Sequence, residues 1–89
     1  MTRREVRIRN RLGLHARAAA RFVHLATRFH AKVTLSRDGR TMDGKSILGI
    51  LLLAAARGSK LVVAAEGADE ADAVAALAAL IEGGFGEEA

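Results

Sequence analysis

Cysteine, proline, tryptophan and tyrosine are all absent from the 89 residues, and phenylalanine occurs only three times. Without thiols the chain can form no disulfide and no cysteine-based zinc or iron–sulfur site, so a reducing cytoplasm is the expected compartment. The longest uncharged apolar run, residues 47–56, falls well short of the about 20 residues that a helix needs to cross a bilayer. No apolar segment follows Thr2, Arg3, Arg4 and Glu5, so neither a secretory signal nor membrane insertion is expected. Basic residues are missing from positions 61–89, which hold seven acids; all 14 Lys and Arg lie in residues 1–60, beside only Glu5, Asp38 and Asp43. The net charge of +4 conceals this polarity. A basic front half suits an anionic ligand or acidic partner, and an acidic rear argues against a protein that coats nucleic acid. The length supports a single domain over residues 1–89, with 84–89 expected as a flexible tail, and 19 alanines leave few large side chains for its core.

Hydrophobic periodicity organises what is present. Val6 and Ile8 alternate with Glu5, Arg7 and Arg9 as a half-buried strand. From Ala16 to about Phe29, Ala19, Phe22, Val23, Ala26 and Phe29 follow helical spacing, with Arg17, Arg21, His24 and Arg28 as a basic stripe opposite. Val33 and Leu35 mark a second strand, and Asp38-Gly39 turns the chain into a short third strand from Arg40 to Asp43. Ser46 is placed to cap a helix from Ile47 to about Arg57, with Gly58 as its stop. Leu61 to Ala65 reads as a buried strand. Asp69 is placed to cap a last helix that aligns Val74, Leu77, Ala78 and Ile81 on one face and ends at Gly83. The order β-α-β-β-α-β-α predicts an α+β fold: a mostly antiparallel four-stranded sheet with helices on one face.

Chemistry concentrates in Asn10 to Arg17. His15 falls where a loop becomes a helix N-terminus, whose first-turn N–H groups lack intrahelical partners and whose dipole favours an anion. The same field disfavours imidazolium and keeps a ring nitrogen free as a nucleophile. Arg17 can offer a fork of donors to a phosphoryl group. The spacing fits a seat for a transient phosphohistidine, and it equally fits a histidine that only caps the helix beside a solvated arginine. His24 and His30 read as surface residues, and the histidine spacings match no common zinc motif, so neither metal nor cofactor is expected.

Gly13-Leu14-His15-Ala16-Arg17, followed by Ala19, Phe22 and Val23 and then by Lys45-Ser46-Ile47-Leu48-Gly49-Ile50, resembles the HPr family, the histidine-containing phosphocarriers of the bacterial phosphotransferase system. The resemblance covers essentially the whole chain. It implies an open-faced β-sandwich with antiparallel strands in order 1-4-2-3 and three helices on one side. It also implies that enzyme I, charged from phosphoenolpyruvate, passes a phosphoryl group to His15, which hands it to a IIA component. Nδ1 is the phosphorylated nitrogen by resemblance only, since sequence does not choose between ring nitrogens. The backbone of Ala16, Arg17 and Ala18 would receive the phosphate. The family usually has proline where this chain has Ala18, which gives up a pre-set dihedral and adds an N–H.

Ser46 has two compatible roles, as a helix cap and, by resemblance, as a site modified by an HPr kinase/phosphorylase. A phosphate there would place about −1.5 to −2 charges beside Ile47, Leu48 and Leu51. Those three residues, with Ala20, Arg21, His24 and Arg28, are the expected docking surface of a monomeric carrier that is not itself an enzyme. Three other classes compete with this reading. Gly39 to Ser46 matches G-x-x-x-x-G-K-[ST], but a predicted hairpin occupies the motif and the chain is too short for a nucleotide-binding sheet. An RNA-binding ferredoxin-like domain would need strand aromatics, and all three Phe lie in a helix or the tail. A purely regulatory module on the same scaffold conflicts with the presence of His15, although a nitrogen-type branch acting through phosphorylation-dependent binding remains an alternative.

Overall fold

The computed structural model describes residues 1–87. Its elements are β1 (Thr2–Arg7), α1 (Ala16–Ala26), β2 (Lys32–Arg37), β3 (Arg40–Asp43), α2 (Ile47–Leu52), β4 (Lys60–Glu66) and α3 (Glu70–Glu82), followed by a 3₁₀ turn at Gly84–Gly86. The four strands form one antiparallel sheet in the order β1-β4-β2-β3. This is the open-faced β-sandwich expected. Alternation along β1, β2 and β4 turns Val6, Val33, Leu35, Leu61 and Val63 inward, where they meet Phe22 of α1 and Leu77 and Ile81 of α3 in one apolar core. Among the described residues no helix is long and apolar enough to cross a membrane.

Local chemistry explains most boundaries. Asp38 (φ 49°) and Gly39 (φ 82°) both take the left-handed conformation, as a two-residue turn between Arg37 and its partner Arg40 requires. This hairpin runs through the G-x-x-x-x-G-K-S segment and removes the loop geometry that a nucleotide phosphate would need. Gly83 ends α3 as expected.

Four expectations are corrected. α1 stops at Ala26 rather than near Phe29, because the chain tightens into three-residue bonds, Arg28 N–H to Leu25 O and Phe29 N–H to Ala26 O, while Thr27 Oγ1 donates to His24 O. α2 ends at Leu52, not near Arg57, and Gly58 is not its stop. Ala54 turns left-handed (φ 49°), and Arg37 Nη1 donates to Leu53 O and Ala54 O, so the hairpin supplies the partners that another helical turn would have provided. Asp69 precedes α3 but makes no side-chain cap bond; its carboxylate accepts from the N–H groups of His30 and Ala31, both at 2.8 Å, tying α3 to the α1–β2 connection. The His30 N–H bond is the main cause holding its carboxyl below the usual range. Residues 84–87 are not a free tail: Phe85 is buried in the core and Glu87 is hydrogen-bonded. The remainder of the expected tail, 88–89, lies outside the described residues.

The first turn of α3 carries an acid-sensitive tie. Glu70 accepts from Thr2 Oγ1 at 2.7 Å and Gly67 N–H at 3.2 Å and lies 3.1 Å from the Met1 amine. These partners, the Thr2 hydroxyl foremost, lower its carboxyl from 4.5 to about 2. Because the folded value lies below the unfolded one, protons bind the unfolded chain more tightly. The stabilisation is therefore complete above pH 4.5 and lost as pH falls toward 2. A Glu70→Gln variant should melt below the wild type at pH 7, with the gap closing across that window in thermal melts; a gap independent of pH would refute the assignment.

Candidate functional site

The loop between β1 and α1 is fastened before it reaches His15. Ile8 exchanges backbone bonds with the 58–59 segment (N–H to Ser59 O, 3.0 Å; O from Gly58 N–H, 2.8 Å), and Leu14 N–H donates to Ala55 O at 2.9 Å. Gly13, at φ 68°, lies so close to that segment that a Cβ would sit 2.5 Å from Ala55 O. Asn10 is the one buried polar residue among those described. Its Nδ2 spans the loop, donating to Gly13 O at 2.7 Å and to Glu87 Oε1 at 2.9 Å. The two acceptors fix the orientation of the amide and leave Oδ1 buried without a partner.

This loop delivers His15 as the N-cap of α1, with extended backbone angles (φ −79°, ψ 178°). Its Nδ1 accepts from Arg17 N–H at 3.2 Å, so that nitrogen faces the open first turn of the helix. Nε2 is hydrogen-bonded to Glu87 Oε2. Burial raises the Glu87 carboxyl, but bonds from Asn10 and His15 and the nearby Arg21 charge outweigh it and hold the group below its ordinary range. Arg21 Nη1 donates to Phe85 O, fastening the 3₁₀ turn to α1. His15, Ala16, Arg17 and Arg21 line an open depression of about 800 Å³ together with Arg11, Leu12, Gly86 and Glu87. Three guanidinium groups, a helix N-terminus and an unprotonated ring nitrogen can receive a tetrahedral anion and bond to it.

The structure brings His15, Ala16 and Arg17 together in this depression, and adds Arg21, which the sequence reading places in the docking surface. Ala18 is fully buried, so only its backbone can serve the site. Ala20 is half-buried on α1, while His24 and Arg28 border a separate groove with Leu25 and Leu80. Ser46 lies away from the depression and caps α2, its Oγ accepting from Gly49 N–H at 3.1 Å. Ile47 and Leu48 are exposed on α2 and Leu51 packs partly against the core. Leu52 on α2 and Leu12, which lines the depression, are also exposed, and neither was given a role of its own from the sequence. Nor were Asn10, Arg11 and Glu87. One signal was available for Glu87: a lone Phe85 between Gly84 and Gly86, an apolar anchor with turn residues on either side.

A family model described as the PTS HPr component phosphorylation site matches residues 2–83. The chain belongs to the HPr family. Curated relatives of the HPr family include the phosphocarrier protein HPr of Cupriavidus necator, 48% identical over 87 residues and covering 98% of both chains. That of Neisseria meningitidis serogroup A is 44% identical over 87 residues, again at 98% of both chains. Among solved structures, an HPr from Thermoanaerobacter tengcongensis superposes with a TM-score of 0.95 at 42% identity, covering 100% of both chains. HPr of Bacillus anthracis gives 0.86 at 42% identity, over 90% of this chain and 95% of its own. The protein is thus an HPr-type phosphocarrier of the bacterial phosphotransferase system, and its fold is the HPr fold.

Proposed function

We propose that His15 carries the phosphoryl group, accepting it from phosphorylated enzyme I and passing it to a IIA component in the bacterial cytoplasm. The observation that carries this reading is Nδ1 of His15 directed at the first turn of α1, within a depression lined by Arg11, Arg17 and Arg21. A phosphoryl group bonded to Nδ1 would meet the N–H groups of Ala16, Arg17 and Ala18, with the Arg17 guanidinium offsetting its charge. The protein is in this reading a monomeric substrate of its partners rather than a free-standing enzyme, and it needs no cofactor. The acceptor nitrogen is set against the sequence match to a nucleotide-binding loop, whose segment the hairpin occupies.

Docking falls to Ile47, Leu48 and Leu51 of α2 and to Ala20, Arg21, His24 and Arg28 of α1. The exposure of Ile47 and Leu48, at 41% and 69%, supports an apolar contact with a basic margin that selects acidic partners rather than nucleic acid. Ser46 is a modulatory site for an HPr kinase/phosphorylase: a phosphate on its Oγ would sit at the start of α2 beside that apolar contact and oppose docking without unfolding the helix. A nitrogen-type regulatory branch would use the same acceptor and differ in the partner read.

Incubation with an active enzyme I and phosphoenolpyruvate, followed by peptide mapping in a mass spectrometer, tests the assignment. An acid-labile phosphoryl adduct on the His15 peptide, absent from His15→Ala, is the expected result. An unmodified protein, or an adduct that survives in His15→Ala, would sink it.

A further inference from the structure

Among the described residues Glu87 is the single carboxylate lining the depression, and four contacts bring it there. Phe85 anchors the turn in the core, Arg21 holds Phe85 O, Asn10 donates to Glu87 Oε1, and Oε2 meets Nε2 of His15. A carboxylate that is ionised at neutral pH can only accept, so the nitrogen facing it must be an N–H. Neutral imidazole has one such hydrogen; placing it on Nε2 leaves the lone pair on Nδ1, where Arg17 N–H already donates. We infer that Glu87 is a positioning residue for phosphoryl transfer: it fixes the His15 tautomer with Nδ1 free, and serves as counterion to the ring once Nδ1 is phosphorylated. The inference rests on the reading of His15 as the acceptor.

The bond changes balance without moving a proton on this protein. When the Nδ1 lone pair attacks phosphorus, the N–P bond forms, and the donor's bond to phosphorus breaks with its electron pair leaving on the donor. The ring retains its Nε2 hydrogen and becomes formally cationic, against the Glu87 carboxylate. On delivery the acceptor's lone pair bonds to phosphorus, the P–N pair returns to Nδ1, and a neutral imidazole departs. If Nε2 loses its hydrogen in between, the departing group is an imidazolate and the bond is harder to break. Among the described residues the other charged groups lining the depression, Arg11, Arg17 and Arg21, all disfavour a cationic ring, and Glu87 is the carboxylate that offsets them.

The experiment compares wild type, Glu87→Gln and, as a charge-matched control outside the depression, Glu66→Gln. Imidazole ¹⁵N spectra of the unphosphorylated proteins should show the Nε2–H tautomer dominant in wild type and control, with Nδ1–H gaining population in Glu87→Gln. After phosphorylation with enzyme I and phosphoenolpyruvate, decay of the adduct is followed by ³¹P spectroscopy as a function of pH. In Glu87→Gln the alkaline fall in decay rate should begin about one pH unit lower, so that the adduct outlives the wild type's by up to about tenfold above the wild-type midpoint. Superimposable tautomer populations and decay profiles, or an equal shift in Glu66→Gln, would overturn the inference. A wild type that forms no adduct on His15 would defeat the functional reading instead, and the tautomer spectra would still report whether Glu87 orders the ring.

Discussion

Gly13→Val is expected to remove most of the protein's folding stability, although the residue buries no side chain. At φ 68° a β-branched residue is strained by about 1–3 kcal/mol. Its Cβ would also fall 2.5 Å from Ala55 O and 3.0 Å from Ala56 Cα, both backbone atoms that cannot rotate away. Relieving the contact means moving the 55–56 segment, which breaks the 2.9 Å bond from Leu14 N–H to Ala55 O and disturbs Leu14 and Ala55, both buried. Overpacking and the lost bond add about 2–4 kcal/mol. A domain of this size has roughly 4–13 kcal/mol to lose. Gly58→Val isolates the clash, because Gly58 has a similar φ of 89° and nothing within 4 Å of its would-be Cβ. Denaturant midpoints should place Gly58→Val modestly, and Gly13→Val far, below the wild type. Equal losses would show that the close approach at Gly13 is immaterial. Any Gly13→Val that stays folded should also accept phosphate slowly, since His15 lies two residues beyond the displaced turn.

The contrast between Gly13 and the rest of the loop shows what the sequence made legible. The period-2 strands, the Asp38-Gly39 turn and the inward stripe of α1 were readable because each is decided by neighbours within a few residues. The position of His15 at a helix start was readable for the same reason: a loop pattern gives way to helical spacing at Ala16. The end of α2 was not, since nothing local stops a run of leucine and alanine. The partners that stop it are Arg37 and Arg40, brought across by the hairpin, with Arg37 Nη1 on Leu53 O at 2.9 Å. Asp69 misled in the opposite sense, because a good capping residue was taken by His30 and Ala31 from a distant segment. His15 and Arg17, the proposed acceptor and its charge partner, were legible as a pair from one short motif. Their support, Asn10 below and Glu87 across, was not, because these residues are 77 positions apart and meet only once the 84–87 turn is folded against the core and α1.

Phe85→Ala therefore combines a stability result with a site result. The phenyl ring is 1% exposed and is among the largest fully buried side chains in the chain. Removing it should cost about 3–5 kcal/mol, whereas Phe85→Leu, which refills most of the volume, should cost less than about 1.5 kcal/mol. Ala at this position keeps the left-handed φ of 58°, so backbone strain cancels in the comparison. A chain ending at Gly83 should be about as unstable as Phe85→Ala, because both lose the same buried ring. If 84–87 merely lay on the surface, all three variants would unfold within about 0.5 kcal/mol of the wild type. The site should follow the anchor. Once the ring is gone, Arg21 loses its hold on Phe85 O and Glu87 its hold on His15 and Asn10, so imidazole ¹⁵N spectra of folded Phe85→Ala should match those of Glu87→Gln. Phe85→Leu should retain the wild-type tautomer. Wild-type spectra in Phe85→Ala would mean that Glu87 reaches His15 without the core contact, and that the aromatic anchor contributes stability alone.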